Sequence, residues 1–128
     1  MSDRPRARPA PCRLIDTRGA TGPLGGPALV AGTGRDFPIA GACTIPSDAV
    51  AISVNMAVTG STAVGNLRLY PGGGAAPNVS AINYAAGQTR ANNAIVSLSG
   101  SGQLGVFCSQ ASGTVNLILD VNGYFALP

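Results

Sequence analysis

The stretch "AISVNMAV", residues 51–58, decides the fold, because large and small side chains alternate along it without a break. Large apolar side chains occupy every second position: Ile52, Val54, Met56 and Val58. The positions between them carry small or polar side chains: Ala51, Ser53, Asn55 and Ala57. A period of two is that of a β-strand, whereas a helix repeats every 3.6 residues. The stretch therefore predicts a strand with one buried face.

The same pattern recurs along the chain, with turn residues between the repeats. Further strands are predicted at residues 13–17, 35–39, 64–70, 79–84, 94–98, 103–108 and 114–121. Turns rich in Gly, Pro and Ser separate them, and a longer Gly/Pro loop covers residues 19–34. Helix formers are scarce, since the chain has no Lys or Glu but 18 Gly and 10 Pro. About eight or nine such strands predict an all-β, antiparallel β-sandwich of jelly-roll-like form, and the pattern leaves other sandwich topologies open.

Positive charge is concentrated at the N-terminus. The chain has a net charge of +3, and its first eighteen residues alone account for it. We expect a basic, Pro-rich arm at residues 1–11 and a single β-sandwich domain at residues 12–128. Arg4, Arg6 and Arg8 would dock the arm to acidic groups of a protein partner. The arm lacks aromatic stacking platforms, which argues against nucleic acid as the partner.

The ionisable side chains indicate that the protein is not an enzyme and uses no cofactor. Without His, Lys or Glu, acid–base chemistry would fall to Asp, Tyr or Cys, and no two Asp residues are close in sequence. Cys12, Cys43 and Cys108 are too widely spaced for a zinc knuckle. A Cys12–Cys43 disulfide, a Cys43–Cys108 disulfide and three buried thiols all remain open. The one metal alternative is a carboxylate pair or calcium site made by Asp16 and Asp120.

Neither a classical signal peptide nor a membrane span is predicted. Residues 1–11 contain charge but no apolar stretch of the roughly 7 to 15 residues that a signal peptide needs. No apolar run approaches the roughly 20 residues of a spanning helix. We expect a location in a virion or at the extracellular or cell surface, with export inside an assembled particle.

Four segments together resemble a known family. They are "CRLIDTR" (residues 12–18), "IPSDAVAISVNMAVTGSTAVGNLRLYP" (45–71), "SAINYAAGQTRANNAIVSL" (80–98) and "LILDVNGYF" (117–125). This series resembles a recurrent bacterial module of secreted or surface-attached proteins, which begins with R-x-x-D-T-R and ends with D-V-x-G-Y-F. The resemblance covers residues 12–125. It implies an all-β accessory module without established catalytic residues.

The two end motifs indicate where the fold closes. Asp16 belongs to the first motif and Asp120 to the last, so the first and last strands would pair there. A carboxylate at such a place accepts hydrogen bonds from Arg or the backbone. We therefore predict a structural hinge formed by Asp16, Arg18, Asp120 and Tyr124, with Tyr124 packed against the core.

The low charge of the strands points to association with other proteins. The sequence predicts a non-enzymatic structural or interaction subunit that forms or decorates a larger assembly, such as a phage capsid, a fibre or a cell-surface structure. We expect a homo-oligomer of three-fold or other cyclic symmetry. The alternative is a carbohydrate-binding accessory module of an extracellular protein, in which exposed, coplanar Tyr70 and Tyr84 would stack on a glycan.

Overall fold

The computed structural model describes residues 11–127, which form two antiparallel β-sheets packed face to face. The strands are β1 (Cys12–Asp16), β2 (Leu29–Val30), β3 (Gly34–Pro38), β4 (Ala49–Thr59), β5 (Gly65–Pro71), β6 (Ile82–Tyr84), β7 (Arg90–Ser97), β8 (Gln103–Gln110) and β9 (Thr114–Ala126). A single turn of 3₁₀ helix, Ala42–Thr44, precedes β4. Within residues 11–127, no helix has the length and apolar character that crossing a bilayer requires.

The order of strands within the sheets defines the topology. The first sheet runs β1-β9-β4-β7, with β2 also paired to β9, and the second runs β3-β8-β5-β6. The chain passes from one sheet to the other at most of its turns, so paired strands are not consecutive in sequence, except for β5 and β6. With β2 set aside, these two orders are those of a jelly roll. The predicted fold class is confirmed, and the structure selects the jelly roll among the sandwich topologies.

The core lies between the two sheets. Ile52, Val54, Met56 and Val58 of β4 are at most 1% exposed, which confirms the strand predicted from their spacing. They face fully buried residues of the second sheet, among them Phe37, Leu67, Leu104 and Val106. Burying an aliphatic side chain of this size stabilises a fold by about 1.5 to 3 kcal/mol. The inward faces of the two sheets therefore supply most of the stability.

Five strands differ in length from the prediction, and two of them, β4 and β8, are longer by two or three residues. The strand predicted at residues 79–84 is shorter, because the β5–β6 ladder ends at the Leu67–Ile82 pair and Val79 is 73% exposed. β9 continues past residue 121 to Ala126, after a register shift against β4. β7 begins at Arg90, four residues early, in a segment whose first residues are exposed. Alternation of apolar and polar residues in a sequence appears only where one face of a strand is buried. Strand residues that are exposed on both faces are therefore not predicted by this pattern.

One arginine orders the Gly/Pro loop at residues 19–34. The guanidinium of Arg35 donates hydrogen bonds to the carbonyl oxygens of Gly22 (2.8 Å), Gly25 (2.8 Å) and Pro27 (3.0 Å). It also lies 4.5 Å from the ring centre of Phe37, at a distance where a cation is attracted to an aromatic face. The loop is thereby held against the end of the sandwich.

Candidate functional site

The first and last strands of the jelly roll meet at one edge of the first sheet. β1 pairs with β9 in antiparallel register, and Arg13 stands directly opposite Asp120. Arg13 donates from Nε to Asp120 Oδ1 (2.8 Å) and from Nη2 to Oδ2 (3.3 Å). Its Nη1 lies 3.9 Å from Asp16 Oδ2. One guanidinium thus contacts the carboxylates of both end motifs.

A second ion pair lies beside it. Arg18 donates from Nε and Nη2 to the two carboxylate oxygens of Asp16, at 2.9 Å each, and its backbone N–H donates to Oδ1 (3.1 Å). The side-chain hydrogen bond from Arg18 is the largest of the effects that lower the pKa of Asp16 to about 2. We call Arg13, Asp16, Arg18 and Asp120 the closing-edge cluster. Its side chains are between 23% and 53% exposed, so the pairs are surface ion pairs of modest strength.

The carboxylates of this cluster face arginines. Among residues 11–127, no group of three or more His, Cys, Asp or Glu side chains is arranged to hold a metal ion. Asp16, Arg18 and Asp120 lie together at the edge where the fold closes. Tyr124 lies further along β9, opposite Ile52, where it is half-buried and packs on the core. The hinge role of these four residues stays a prediction.

The most buried polar contact of this edge was not predicted from the sequence. Thr17 is 3% exposed; its Oγ1 donates to Asn116 Oδ1 (2.9 Å) and accepts from the N–H of Leu117 (2.9 Å). Its own N–H donates to the carbonyl of Leu117 (3.0 Å). Within the D-T-R triplet, the buried Thr17 therefore attaches the end of β1 to β9. Asp16 and Arg18 pair with each other on the solvent-exposed side. The only sequence signal was its position between two charged motif residues.

The two tyrosines proposed for glycan stacking lie on opposite faces of the second sheet. Tyr84 is 3% exposed, and its hydroxyl donates to Gln110 Oε1 beside Cys108. Burial raises the pKa of Tyr84 well above its usual value. Tyr84 shares the inward face of β6 with Ile82, as a period of two dictates. It offers no stacking face, so the coplanar pair of the alternative hypothesis does not form.

Tyr70 lies on the outer face of the second sheet. Its ring covers the position that a Cβ of Gly105 would occupy, and its hydroxyl oxygen would lie 2.8 Å from a Cβ of Gly34. Gly105 is the cross-strand partner of Tyr70 on β8, and Gly34 lies on β3 beyond it. Tyr70 therefore lies across β8, and the two glycines leave the space that it fills.

The three cysteines take different roles. Cys12 and Cys43 form a disulfide that joins β1 to the turn before β4, and Cys108 is a free, buried thiol on the inward face of β8. This is one of the two pairings that the sequence left open. Burial raises the pKa of the Cys108 thiol.

The predicted docking residues Arg4, Arg6 and Arg8 lie outside the described residues. Pro11, the first described residue, directly precedes β1 at the edge that carries the closing-edge cluster.

Comparison with known proteins finds little similarity. The chain matches no protein-family model and no curated protein. Among solved structures it is similar to the coat protein of Tobacco streak virus, at 13% sequence identity and a TM-score of 0.40, over 79% of this chain and 82% of that one.

Proposed function

We propose that the protein is a non-enzymatic structural subunit that associates with copies of itself and forms or decorates a larger assembly. The observation that carries the proposal is the distribution of charge over the described residues. Residues 11–127 contain five Arg and four Asp, and four of these nine side chains pair with one another in the closing-edge cluster. The guanidinium of Arg35 donates its hydrogen bonds to carbonyl groups of the Gly/Pro loop. Few charges remain to keep copies of the protein apart.

The broad outer face of the first sheet illustrates this lack of charge. Strand β4 and the edge strand β7 place four cross-strand pairs there: Ala51–Ser97, Ser53–Ile95, Asn55–Asn93 and Ala57–Ala91. None of these eight side chains is charged, and Ile95 is 66% exposed. Like charges on a surface oppose its approach to an identical surface, and the β4–β7 part of this face has none. The face is suited to contact between subunits.

The basic arm supplies the second half of the proposal. Arg4, Arg6 and Arg8 would meet acidic groups of the particle or surface on which the subunits assemble. The proposed location is accordingly a virion, or the outside of a cell. The resemblance to bacterial surface modules supports the second setting.

The test is the mass of the protein in solution by light scattering, for the full chain and for a variant without residues 1–11. We expect a closed oligomer in both cases, because the proposed self-contact lies in the sandwich and the arm serves docking. A monomer in both forms at every accessible concentration would overturn the proposal.

A carbohydrate-binding module is the second candidate, and Tyr70 is the observation that favours it. Tyr70 lies across β8 on the outside of the sheet, and the Arg68–Phe107 pair is its neighbour on that face. An aromatic ring held flat on a sheet can stack on a sugar ring. A glycan array probed with the natural chain and with Tyr70→Ala tests this candidate, which fails if no glycan is retained or if the variant binds equally well.

A further inference from the structure

Three of the four sheet edges in residues 11–127 are protected against pairing with another chain. The edge at β1 carries Arg13 and Asp16, has a register shift against β9, and is covered where the N–H of Asp16 donates to the carbonyl of Leu24. The edge at β3 has Asp36 and Pro38 at positions that point away from β8. Charges, Pro and irregular pairing are the usual means by which proteins block edge pairing.

The third protected edge, at β6, is only three residues long. Two side chains of β7 cover carbonyl groups in β6 and just before it. Asn92 donates from Nδ2 to the carbonyl of Ala81 (3.0 Å), and Arg90 donates from Nη1 to the carbonyl of Asn83 (3.3 Å).

The fourth edge, at β7, is the least protected: its charge is confined to Arg90 at one end, and among its outward-pointing groups the N–H of Asn93 donates to Oδ1 of Asn92 (3.1 Å). It runs for eight residues in unbroken register with β4, and residues 91–97 contain neither a charge nor a Pro. The N–H of Leu98 donates to the carbonyl of Val50, so the even-numbered residues of this ladder bond to β4. The backbone groups of Ala91, Asn93, Ile95 and Ser97 therefore point to the open side. Within residues 11–127, no backbone partner on that side is found for Ala91, Ile95 or Ser97.

We propose that β7 pairs with β7 of a second copy of this chain, in antiparallel orientation about a two-fold axis at Ala94, which extends the first sheet across the interface. This register places Ala91 opposite Ser97 of the second copy and Asn93 opposite Ile95. It is the register in which all four outward-pointing residues exchange hydrogen bonds. The proposal specifies the contact that underlies the self-association proposed above and rests on it.

A second copy suits this edge better than the protein's own arm. The arm has Pro at positions 5, 9 and 11, and a residue without an N–H cannot continue a ladder. The arm is also cationic, and the edge offers it no acidic side chain. In the two-fold arrangement, Arg90 lies at opposite ends of the two strands and faces the uncharged Leu98 of the other copy. The edge is therefore complementary to itself.

The experiment measures the dissociation constant of the full chain by light scattering and analytical ultracentrifugation. Ile95→Lys and Ser97→Lys each introduce a charge at the proposed contact, and Val64→Lys introduces the same charge at a side chain that is 70% exposed and lies off the edge. We expect each edge variant to raise the dissociation constant at least tenfold and the control to leave it unchanged. Circular dichroism melts confirm that every variant is folded.

The double variant Ala91→Asp/Ser97→Lys tests the pairing partner. The two positions are opposite each other only between copies, and they are six residues apart on their own strand. If two copies pair as proposed, the double variant regains the association that Ser97→Lys loses, because opposite charges then face each other. Failure to regain it would overturn the proposed pairing.

The remaining outcomes separate the two proposals. Edge variants that associate as well as Val64→Lys, in a protein that does oligomerise, would overturn the β7 contact and leave the proposed function standing. A natural chain that is monomeric at every concentration would overturn both.

Discussion

Arg13 and Asp120 face each other across the first and last strands of the jelly roll and are joined by two hydrogen bonds, of 2.8 and 3.3 Å. They are 107 residues apart in sequence, so the contact exists only when the fold is closed. Both side chains are partly exposed. The pair is therefore a consequence of strand order that adds little to stability.

The buried contact next to that pair should matter more. In Thr17→Val, the N–H of Leu117 and the amide oxygen of Asn116 lose their partner, and a buried unsatisfied group costs about 1 to 3 kcal/mol. Thr89→Val is the control, because its hydroxyl bond to Thr59 is exposed, and it should change the free energy of unfolding by no more than about 0.5 kcal/mol. Urea denaturation measures both. Equal effects of the two substitutions would show that Thr17 is not the main attachment of this edge.

Acid should weaken the closing edge through Asp16. Its pKa falls from an ordinary value of 3.8 to about 2, chiefly because Arg18 donates to its carboxylate. A carboxyl group whose folded-state pKa is depressed stabilises the fold above its unfolded pKa, and this contribution disappears as the pH falls towards 2. The melting temperature should therefore drop between pH 4 and pH 2, and drop less in Asp16→Asn and in Arg18→Gln. Parallel profiles for all three proteins would contradict the assignment.

The disulfide should stabilise the protein by restricting the unfolded chain. Cys12 and Cys43 are separated by 31 positions, and closing a loop of that size is worth about 3 to 4 kcal/mol on the chain-entropy estimate. The Cys12→Ser/Cys43→Ser variant should lose this amount in urea denaturation. The number of free thiols, measured with a thiol reagent without reduction, tests the same pairing, because Cys108 is the free cysteine and is buried. It should label no thiol in the folded protein and one per chain after unfolding, and any other count would contradict the assigned pairing.

A side chain at position 105 should clash with the ring of Tyr70. The ring occupies the position of a Cβ on Gly105, so Gly105→Ala forces the ring to move and should lower the free energy of unfolding by about 1 to 3 kcal/mol. Gly100→Ala is the control, because a Cβ there meets no atom within 4 Å. Combining Gly105→Ala with Tyr70→Ala should remove most of the loss attributable to the clash. A loss unchanged in the double variant would point to a backbone cause.

Several features of the fold were predictable because a strand repeats every two residues. The spacing of Ile52, Val54, Met56 and Val58 determined the buried face of β4, and the turn residues between the repeats placed most strands to within a few positions. The same alternation puts Tyr84 with the buried Ile82, and Tyr70 on the face opposite Leu67. These properties depend on local backbone geometry, which is determined by residues close together in the sequence.

The sequence by itself determined the strands, their buried faces and the scarcity of charge, whereas the tertiary structure alone decided which strands became neighbours. The pairing of Cys12 with Cys43, of Arg13 with Asp120 and of Thr17 with Leu117 all follow from the order β1-β9-β4-β7. Within residues 11–127, the same order leaves β7 as the least protected edge. Alternation gives every strand the same buried face whatever its neighbours, so the order depends on how the whole set of strands closes around one core.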